Sequence, residues 1–325
     1  MPAVDEEDRP VVAVDIGATT TRVALFGPGG EILGRVTSPT LGSGDSPETI
    51  TRHLAGLIRR VLSGSGGAVP AAAIGVSACG PIDHRRGSVV RPPNLPFREI
   101  PLAGPLGEEF GLPVRLANDC HAGVLGEVIY GGGVGCENLV YITLSTGIGG
   151  GVICNGRLVL GRGGNAAEIG HFHVDTTYNL PCGCGGTGHW EAYASGRFIP
   201  SFFARWCDRE NRIQGETDTS SAEGIFAAAR NGDPAALGFM NALGEINGRG
   251  VSNVIVAYDP SRIILDGSVA LQNEDLILPS LLPFVDRFLP LPEIRLTTLK
   301  GLAPLFGASV IARGYDTEVG PVMPG

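Results

Sequence analysis

Residues 11–26, VVAVDIGATTTRVALF, and residues 139–154, LVYITLSTGIGGGVIC, share one pattern: an apolar run, a turn rich in glycine and threonine, and a second apolar run. Short apolar runs bounded by glycine predict two β-strands joined by a tight turn. Because the pattern occurs twice, the sequence predicts one α/β folding unit used in two domains, with a cleft between them. A chain of 325 residues also favours two domains.

The other predicted elements complete an α/β pattern around these two turns. The first turn continues into an antiparallel meander, and strands alternate with helices after it. The further elements are strands over residues 31–36, 72–77, 114–117 and 262–265, and helices over about 46–62, 120–128 and 221–257.

Composition excludes several classes of protein. The 24 Lys and Arg residues against 33 Asp and Glu give a net charge of −9, which argues against a nucleic-acid partner. No apolar run is long enough to span a membrane, and the acidic residues 1–10 lack the apolar segment of a secretory signal. The seven cysteines are expected to be thiols or metal ligands. We therefore expect a soluble, cytoplasmic protein.

Both turns carry the groups that bind phosphate. In Asp15-x-Gly17-x-Thr19-Thr20-x-Arg22, backbone amides and hydroxyls follow a strand end, and Asp15 is suited to hold Mg²⁺ through water. A plain hairpin turn accounts for this stretch alone, but Ser145-Thr146-Gly147-Ile148-Gly149 repeats the arrangement. Asp15 is the only carboxylate within either turn. Neither turn matches a Walker loop or leads into a helix as a dinucleotide-binding loop does.

Asn118 and Asp119 form a candidate acid/base site. They lie where a predicted strand meets a predicted helix, and a carboxylate there can accept the proton of a hydroxyl that attacks phosphorus. An ordinary helix N-cap explains the same pair of residues.

A third group of residues has the composition of a structural zinc site. Cys182-x-Cys184 lies among glycines, and His189 follows five residues after Cys184. Two thiolates and two imidazoles suit tetrahedral zinc, and the fourth ligand is either His171 or His173 on spacing alone. Two free thiols in a glycine-rich loop are the simpler alternative.

The order of these motifs resembles that of the ROK family, which includes sugar kinases and transcriptional repressors. The resemblance extends from Val11 to about Gly314 and depends most on Glu168-x-Gly170-His171 followed by Cys182-x-Cys184-Gly185-x-x-Gly188. It implies two ribonuclease H-like domains of the actin-like ATPase type, with an inter-domain cleft. It implies a smaller N-terminal lobe of residues 1–117 with about 302–325, and a larger lobe of residues 118–301 that carries the zinc loop.

The resemblance also implies the role of each site residue. Asp119 would be the catalytic base toward a sugar hydroxyl, and His171 would be the fourth zinc ligand. Contacts to the sugar would come from Gly80, Asn94, Asn118, Asp119, Glu168, His171 and Glu191. The ATP phosphates would be held by the turn residues Gly17, Thr19, Thr20, Thr146 and Gly147, with Asp15 and Arg22 beside them, and the adenosine would lie near Gly267 and Ser268.

Two departures from the family pattern accompany this assignment. His189 stands where the family has a third cysteine, so we expect a zinc site of two cysteines and two histidines. Asp266-Gly267-Ser268 replaces a turn of three glycines.

The implied activity is that of an ATP- and Mg²⁺-dependent hexose kinase acting on the 6-hydroxyl of glucose, in a homodimer or homotetramer. Kinases for N-acetylmannosamine, N-acetylglucosamine or fructose are the alternatives. A non-catalytic sugar sensor or repressor is less favoured, because Asp119 is present and only the acidic residues 1–14 precede Asp15, where a repressor would carry a DNA-binding domain.

Overall fold

The computed structural model describes residues 8–42, 46–64, 70–92, 97–212 and 218–315. These residues form two compact units. The first holds the described residues up to Glu137, residues 155–166 and the described residues from Leu302 onward. The second holds residues 138–154 and the described residues between 167 and 301.

The first unit is built on a five-stranded mixed sheet. Its strands are Val11–Ile16 (β1), Thr20–Phe26 (β2), Ile32–Pro39 (β3), Ile74–Ala78 (β4) and Val114–Asn118 (β8), in the order β3-β2-β1-β4-β8. The first three form the predicted antiparallel meander, whereas β1, β4 and β8 are parallel. Strands β1 and β4 are apolar almost throughout because both faces of the sheet are covered.

The first unit has further helices and short strands. The helices are Pro47–Gly64 (α1), Ala103–Phe110 (α2), Asp119–Tyr130 (α3) and Ala303–Ala312 (α10), and the short strands are Ile82–Asp83 (β5), Ser88–Val90 (β6), Glu99–Pro101 (β7) and Arg157–Leu158 (β11). Helix α10 packs closely on α3, since a Cβ on Gly307 would overlap the carbonyl oxygen of Ala122. The first unit thus extends to Glu137, past the boundary expected after residue 117, because α3 packs within it.

The second unit repeats the same arrangement. Its strands are Leu139–Leu144 (β9), Ile148–Cys154 (β10), Arg262–Asp266 (β12) and Glu293–Leu296 (β13), adjacent in the order β10-β9-β12-β13. Strand β9 pairs antiparallel with β10 and parallel with β12, as β1 pairs with β2 and β4. The α/β class predicted from the repeated pattern is confirmed.

Among the described residues of the second unit there are six α-helices. They are Glu191–Ala194 (α4), Ile199–Arg209 (α5), Ala222–Arg230 (α6), Pro234–Tyr258 (α7), Ser268–Gln272 (α8) and Glu274–Leu281 (α9). The helix expected over 221–257 is two helices because Asp233 caps α7, accepting hydrogen bonds from the backbone of Ala235 and Ala236 at 3.0 and 2.8 Å. Among the described helices, none combines the length and apolar character needed to cross a lipid bilayer.

Candidate functional site

The end of β8 and the start of α3 place Asn118 and Asp119 side by side. Asn118 is the N-cap, because its Oδ1 accepts hydrogen bonds from the backbone of Cys120 at 2.8 Å and His121 at 3.4 Å. Asp119 Oδ1 also accepts from Cys120 N, at 2.9 Å. The N-cap explanation therefore applies to Asn118, whose side chain accepts from both Cys120 and His121.

Burial affects the pKa of Asp119. The partly buried side chain loses hydration, and this raises the pKa of the carboxyl above its ordinary value. A carboxylate with a raised pKa is a better proton acceptor. Gly80 lies next to this pair, since a Cβ there would be 3.0 Å from Nδ2 of Asn118. Asn94, the other predicted sugar contact of this unit, lies outside the described residues.

The turn between β1 and β2 exposes the backbone and hydroxyl that were predicted to meet phosphate. Gly17 N donates to Thr20 O at 3.0 Å, and Thr19 is exposed at the tip. The hydroxyl of Thr40, the residue after β3, donates to Gly17 O at 2.8 Å and holds the turn against the end of that strand. A Cβ on Gly17 would lie 2.9 Å from Thr20 O, so the tight turn requires glycine here.

Asp15 is a buried member of this turn, only 3% exposed. Its Oδ2 pairs with Arg22 at 2.9 Å, and its Oδ1 accepts from Ser77 Oγ at 3.3 Å. Burial raises the pKa of Asp15 to about 6, against the lowering effect of Arg22, and the charge of Asp119 contributes to the rise. Because both oxygens already accept hydrogen bonds, Asp15 suits a water-mediated contact to Mg²⁺ rather than direct ligation.

The turn between β9 and β10 has the same form in the second unit. Ser145 N donates to Gly147 O at 2.9 Å, and Thr146 is exposed. The predicted adenosine residues lie beside this turn: Ser268 Oγ is 3.3 Å from Ser145 Oγ, and a Cβ on Gly267 would overlap the carbonyl oxygen of Leu144. The structure thus brings both sets of predicted nucleotide residues of this unit together.

Asp266 is accommodated in the turn that departs from the family pattern. The side chain is 1% exposed, and its Oδ2 accepts the hydroxyl of Tyr141 at 2.9 Å. Its Oδ1 accepts Gly267 N at 2.7 Å. These hydrogen bonds turn the carboxylate into the unit, so Gly267 and Ser268 remain as the residues on the turn.

The predicted zinc ligands converge in the loop before α4. One ligand atom from each of His171, Cys182, Cys184 and His189 lies within 4.8 Å of the others. Sγ of Cys184 is 3.3 Å from Nδ1 of His189, and Sγ of Cys182 is 3.9 Å from Nδ1 of His171. A tetrahedral zinc ion with bonds of about 2.0 to 2.3 Å holds its ligand atoms about 3.3 to 3.8 Å apart. The donor set and the spacing therefore fit zinc.

The structure also separates the two candidate histidines. His171 ends a 3₁₀ turn, Ile169–His171, that packs on β10, and a Cβ on Gly170 would overlap the carbonyl oxygen of Ile148. His173 instead lies against Gly188 and forms an isolated bridge with His189. Glu168 is exposed at the start of the same 3₁₀ turn.

Glu191 lies between this cluster and the second turn. It is the first residue of α4, and its Oε2 accepts the backbone N–H of Ile148 at 3.0 Å. A Cβ on Gly147 would be 2.7 Å from the same oxygen. Asp15 is the only carboxylate within the two turns, and α4 brings a second one, Glu191, to the backbone of the second turn.

Asp175 is a residue that the sequence motifs do not reveal. It is 3% exposed; its Oδ2 accepts from Tyr178 N at 2.8 Å and Tyr193 Oη at 2.9 Å, and its Oδ1 accepts from Thr177 N at 3.0 Å. These hydrogen bonds shape the loop that leads to Cys182. An aspartate before a run of polar residues is typical of such a turn, and this is the one local signal for it.

Comparison with known proteins adds the following similarities. The ROK family profile matches residues 11–314. A glucokinase of Pyrobaculum calidifontis is 39% identical over 266 residues, which cover 82% of this chain and 81% of that protein. A ROK hexokinase of Thermus thermophilus has a TM-score of 0.78 at 32% identity, covering 93% of this chain and 98% of the other. A ROK glucokinase of Streptomyces griseus, solved with glucose and AMPPNP, has a TM-score of 0.74 at 32% identity, covering 94% and 99%.

Proposed function

Because the chain belongs to the ROK family, we propose that it is an ATP-dependent hexose kinase that phosphorylates the 6-hydroxyl of glucose. The observation that carries this proposal is Asp119, which lies beside Asn118 where β8 meets α3 and whose pKa is raised by burial. The related glucokinases named above support glucose as the acceptor.

In this reaction Asp119 acts as the general base. Its Oδ2 accepts the proton of the 6-hydroxyl as the hydroxyl oxygen attacks the γ-phosphorus of ATP. A bond forms between that oxygen and phosphorus, the bond to the bridging β,γ oxygen breaks, and ADP leaves. Asn118 and Gly80 lie beside the base and would hold the sugar, together with Asn94, Glu168, His171 and Glu191.

The two turns would hold the nucleotide. Exposed Thr19 and Thr146 offer hydroxyls, and the small residues around them leave the backbone accessible to phosphate. Gly267 and Ser268 would contact the adenosine. Bound Mg²⁺ neutralises phosphate charge, and Asp15, oriented by Arg22, would hold it through water.

A structural zinc ion would be held by His171, Cys182, Cys184 and His189. Nδ1 of His171 faces Cys182, which leaves Nε2 of the same ring for a sugar hydroxyl. The zinc site would therefore orient a substrate contact without taking part in phosphoryl transfer. We also place the protein in the cytoplasm and expect a homodimer or homotetramer, as the family resemblance implies.

A coupled kinase assay tests the proposal. Purified protein with ATP and Mg²⁺ is offered glucose, fructose, N-acetylglucosamine and N-acetylmannosamine, and the ADP formed is measured. We expect the highest kcat/KM with glucose and a product phosphorylated at the 6-position. A higher kcat/KM with another sugar would mean that this sugar, and not glucose, is the substrate. The absence of turnover with every sugar would favour the alternative function, a non-catalytic sugar sensor. ADP and polyphosphate as donors complete the panel.

A further inference from the structure

The carboxylate of Glu191, which lies outside the turn between β9 and β10, accepts a hydrogen bond from the backbone of that turn. Residues 145–148, here called the second turn, connect β9 to β10. Glu191 Oε2 accepts the N–H of Ile148 at 3.0 Å, at the point where the turn enters β10. The carboxylate is so close to the turn that a Cβ on Gly147 would lie 2.7 Å from it. Gly147 therefore makes room for this contact.

Glu191 is fixed in place by the chain around it. It lies two residues after His189 and directly after Trp190, which is fully buried and donates its indole N–H to Asn247 Oδ1 at 2.9 Å. The backbone N–H of Trp190 also donates to Phe172 O, next to His171.

We propose that Glu191 is a positioning residue for the nucleotide: it sets the backbone of the second turn and thereby links the zinc loop to nucleotide binding. This inference rests on the proposed function. The hydrogen bond from Ile148 to Glu191 orients the turn whose amides would meet phosphate. Only Trp190 separates Glu191 from His189, one of the proposed zinc ligands. A role as a sugar contact alone would leave nucleotide affinity in the absence of sugar unchanged.

Direct binding of a non-hydrolysable ATP analogue to the zinc-loaded protein without sugar tests the inference. Glu191→Ala should weaken binding about 5- to 10-fold, the effect of losing one ordinary hydrogen bond. Glu191→Gln keeps an acceptor oxygen and should stay within about twofold of wild type. Glu168→Ala, the matched control, removes the other predicted sugar carboxylate and should not change this affinity. Zinc content is measured on every variant.

A double-mutant cycle between Gly147 and Glu191 gives an independent test. Gly147→Ala adds the Cβ that displaces Glu191, so this single substitution should weaken binding of the analogue. In a protein that already carries Glu191→Gly or Glu191→Ser, the same substitution should weaken binding much less. Equal effects of Gly147→Ala in both backgrounds, or wild-type analogue affinity in Glu191→Ala, would overturn the inference while the kinase activity stands. A wild-type protein that binds no analogue would overturn the proposed function as well.

Discussion

Replacing Asp119 with Asn should abolish most of the activity and leave the fold at least as stable as before. An Asn side chain keeps the oxygen that accepts Cys120 N, and Asn118 continues to cap α3. The Asn side chain at position 119 cannot accept a proton from the sugar hydroxyl. Loss of a general base lowers kcat by about 10²- to 10⁴-fold, equivalent to about 3 to 5 kcal/mol in the barrier.

The stability effect has a sign that follows from the pKa. Burial raises the pKa of Asp119 in the folded protein, so its ionised form at neutral pH opposes folding. The stability that this group adds is fully present below the unfolded pKa and is lost as the pH rises through the folded pKa. The neutral Asn escapes this loss, so the variant should match or exceed the wild type in free energy of unfolding at pH 7.

Asp175→Asn is the matched control, because its carboxylate has the opposite shift. Burial opposes ionisation there, but hydrogen bonds from Tyr178 N, Thr177 N and Tyr193 lower the pKa below its ordinary value. Its stabilisation is therefore present above the unfolded pKa and lost as the pH falls through the folded pKa. Asp175→Asn should lower the free energy of unfolding by about 1 to 3 kcal/mol at pH 7.

The coupled assay gives kcat, calorimetry gives the affinity for glucose, and urea titration gives the free energy of unfolding. We expect Asp119→Asn to bind glucose, turn over slowly and unfold no earlier than wild type. Near wild-type turnover in this variant would refute the assignment of the base. If Asp119→Asn lowered the free energy of unfolding as much as Asp175→Asn does, the inference that burial of the ionised Asp119 opposes folding would be refuted.

Three other changes have defined outcomes. His189→Ala should lower zinc content measured by elemental analysis and weaken zinc binding about 10- to 100-fold, and His189→Cys should restore both; full zinc in the alanine variant would remove His189 from the ligand set. Asp15→Ala should remove Mg²⁺-dependent turnover in the coupled assay, because it would delete the proposed Mg²⁺ contact and the ion pair with Arg22; unaltered activity with Mg·ATP would make the first turn purely structural. Gly307→Ala should lower the free energy of unfolding by about 2 to 4 kcal/mol, since its Cβ would overlap the carbonyl of Ala122; a denaturant midpoint equal to wild type would contradict the α3–α10 packing.

The local sequence carried the information for the strands, turns and helix starts. Apolar runs that end in glycine and threonine predicted both hairpin turns, and the register of β1 with β2 and of β9 with β10 follows that pattern. Asn118 and Asp119 were predictable because the change from strand to helix is marked by a capping residue. The spacing of Cys182, Cys184 and His189 was sufficient for a metal cluster, since these ligands lie in one loop.

Contacts between residues distant in the chain were settled by the tertiary structure alone. His171 and His173 are equally spaced candidates, and only the packing of the 3₁₀ turn against β10 brings His171 to the thiols. The burial of Asp15 depends on Ser77 from β4, and the contact of Glu191 with Ile148 joins two segments far apart in sequence. Periodicity and turn chemistry report what a residue does with its near neighbours, whereas a side chain's partner across the fold depends on how whole elements pack.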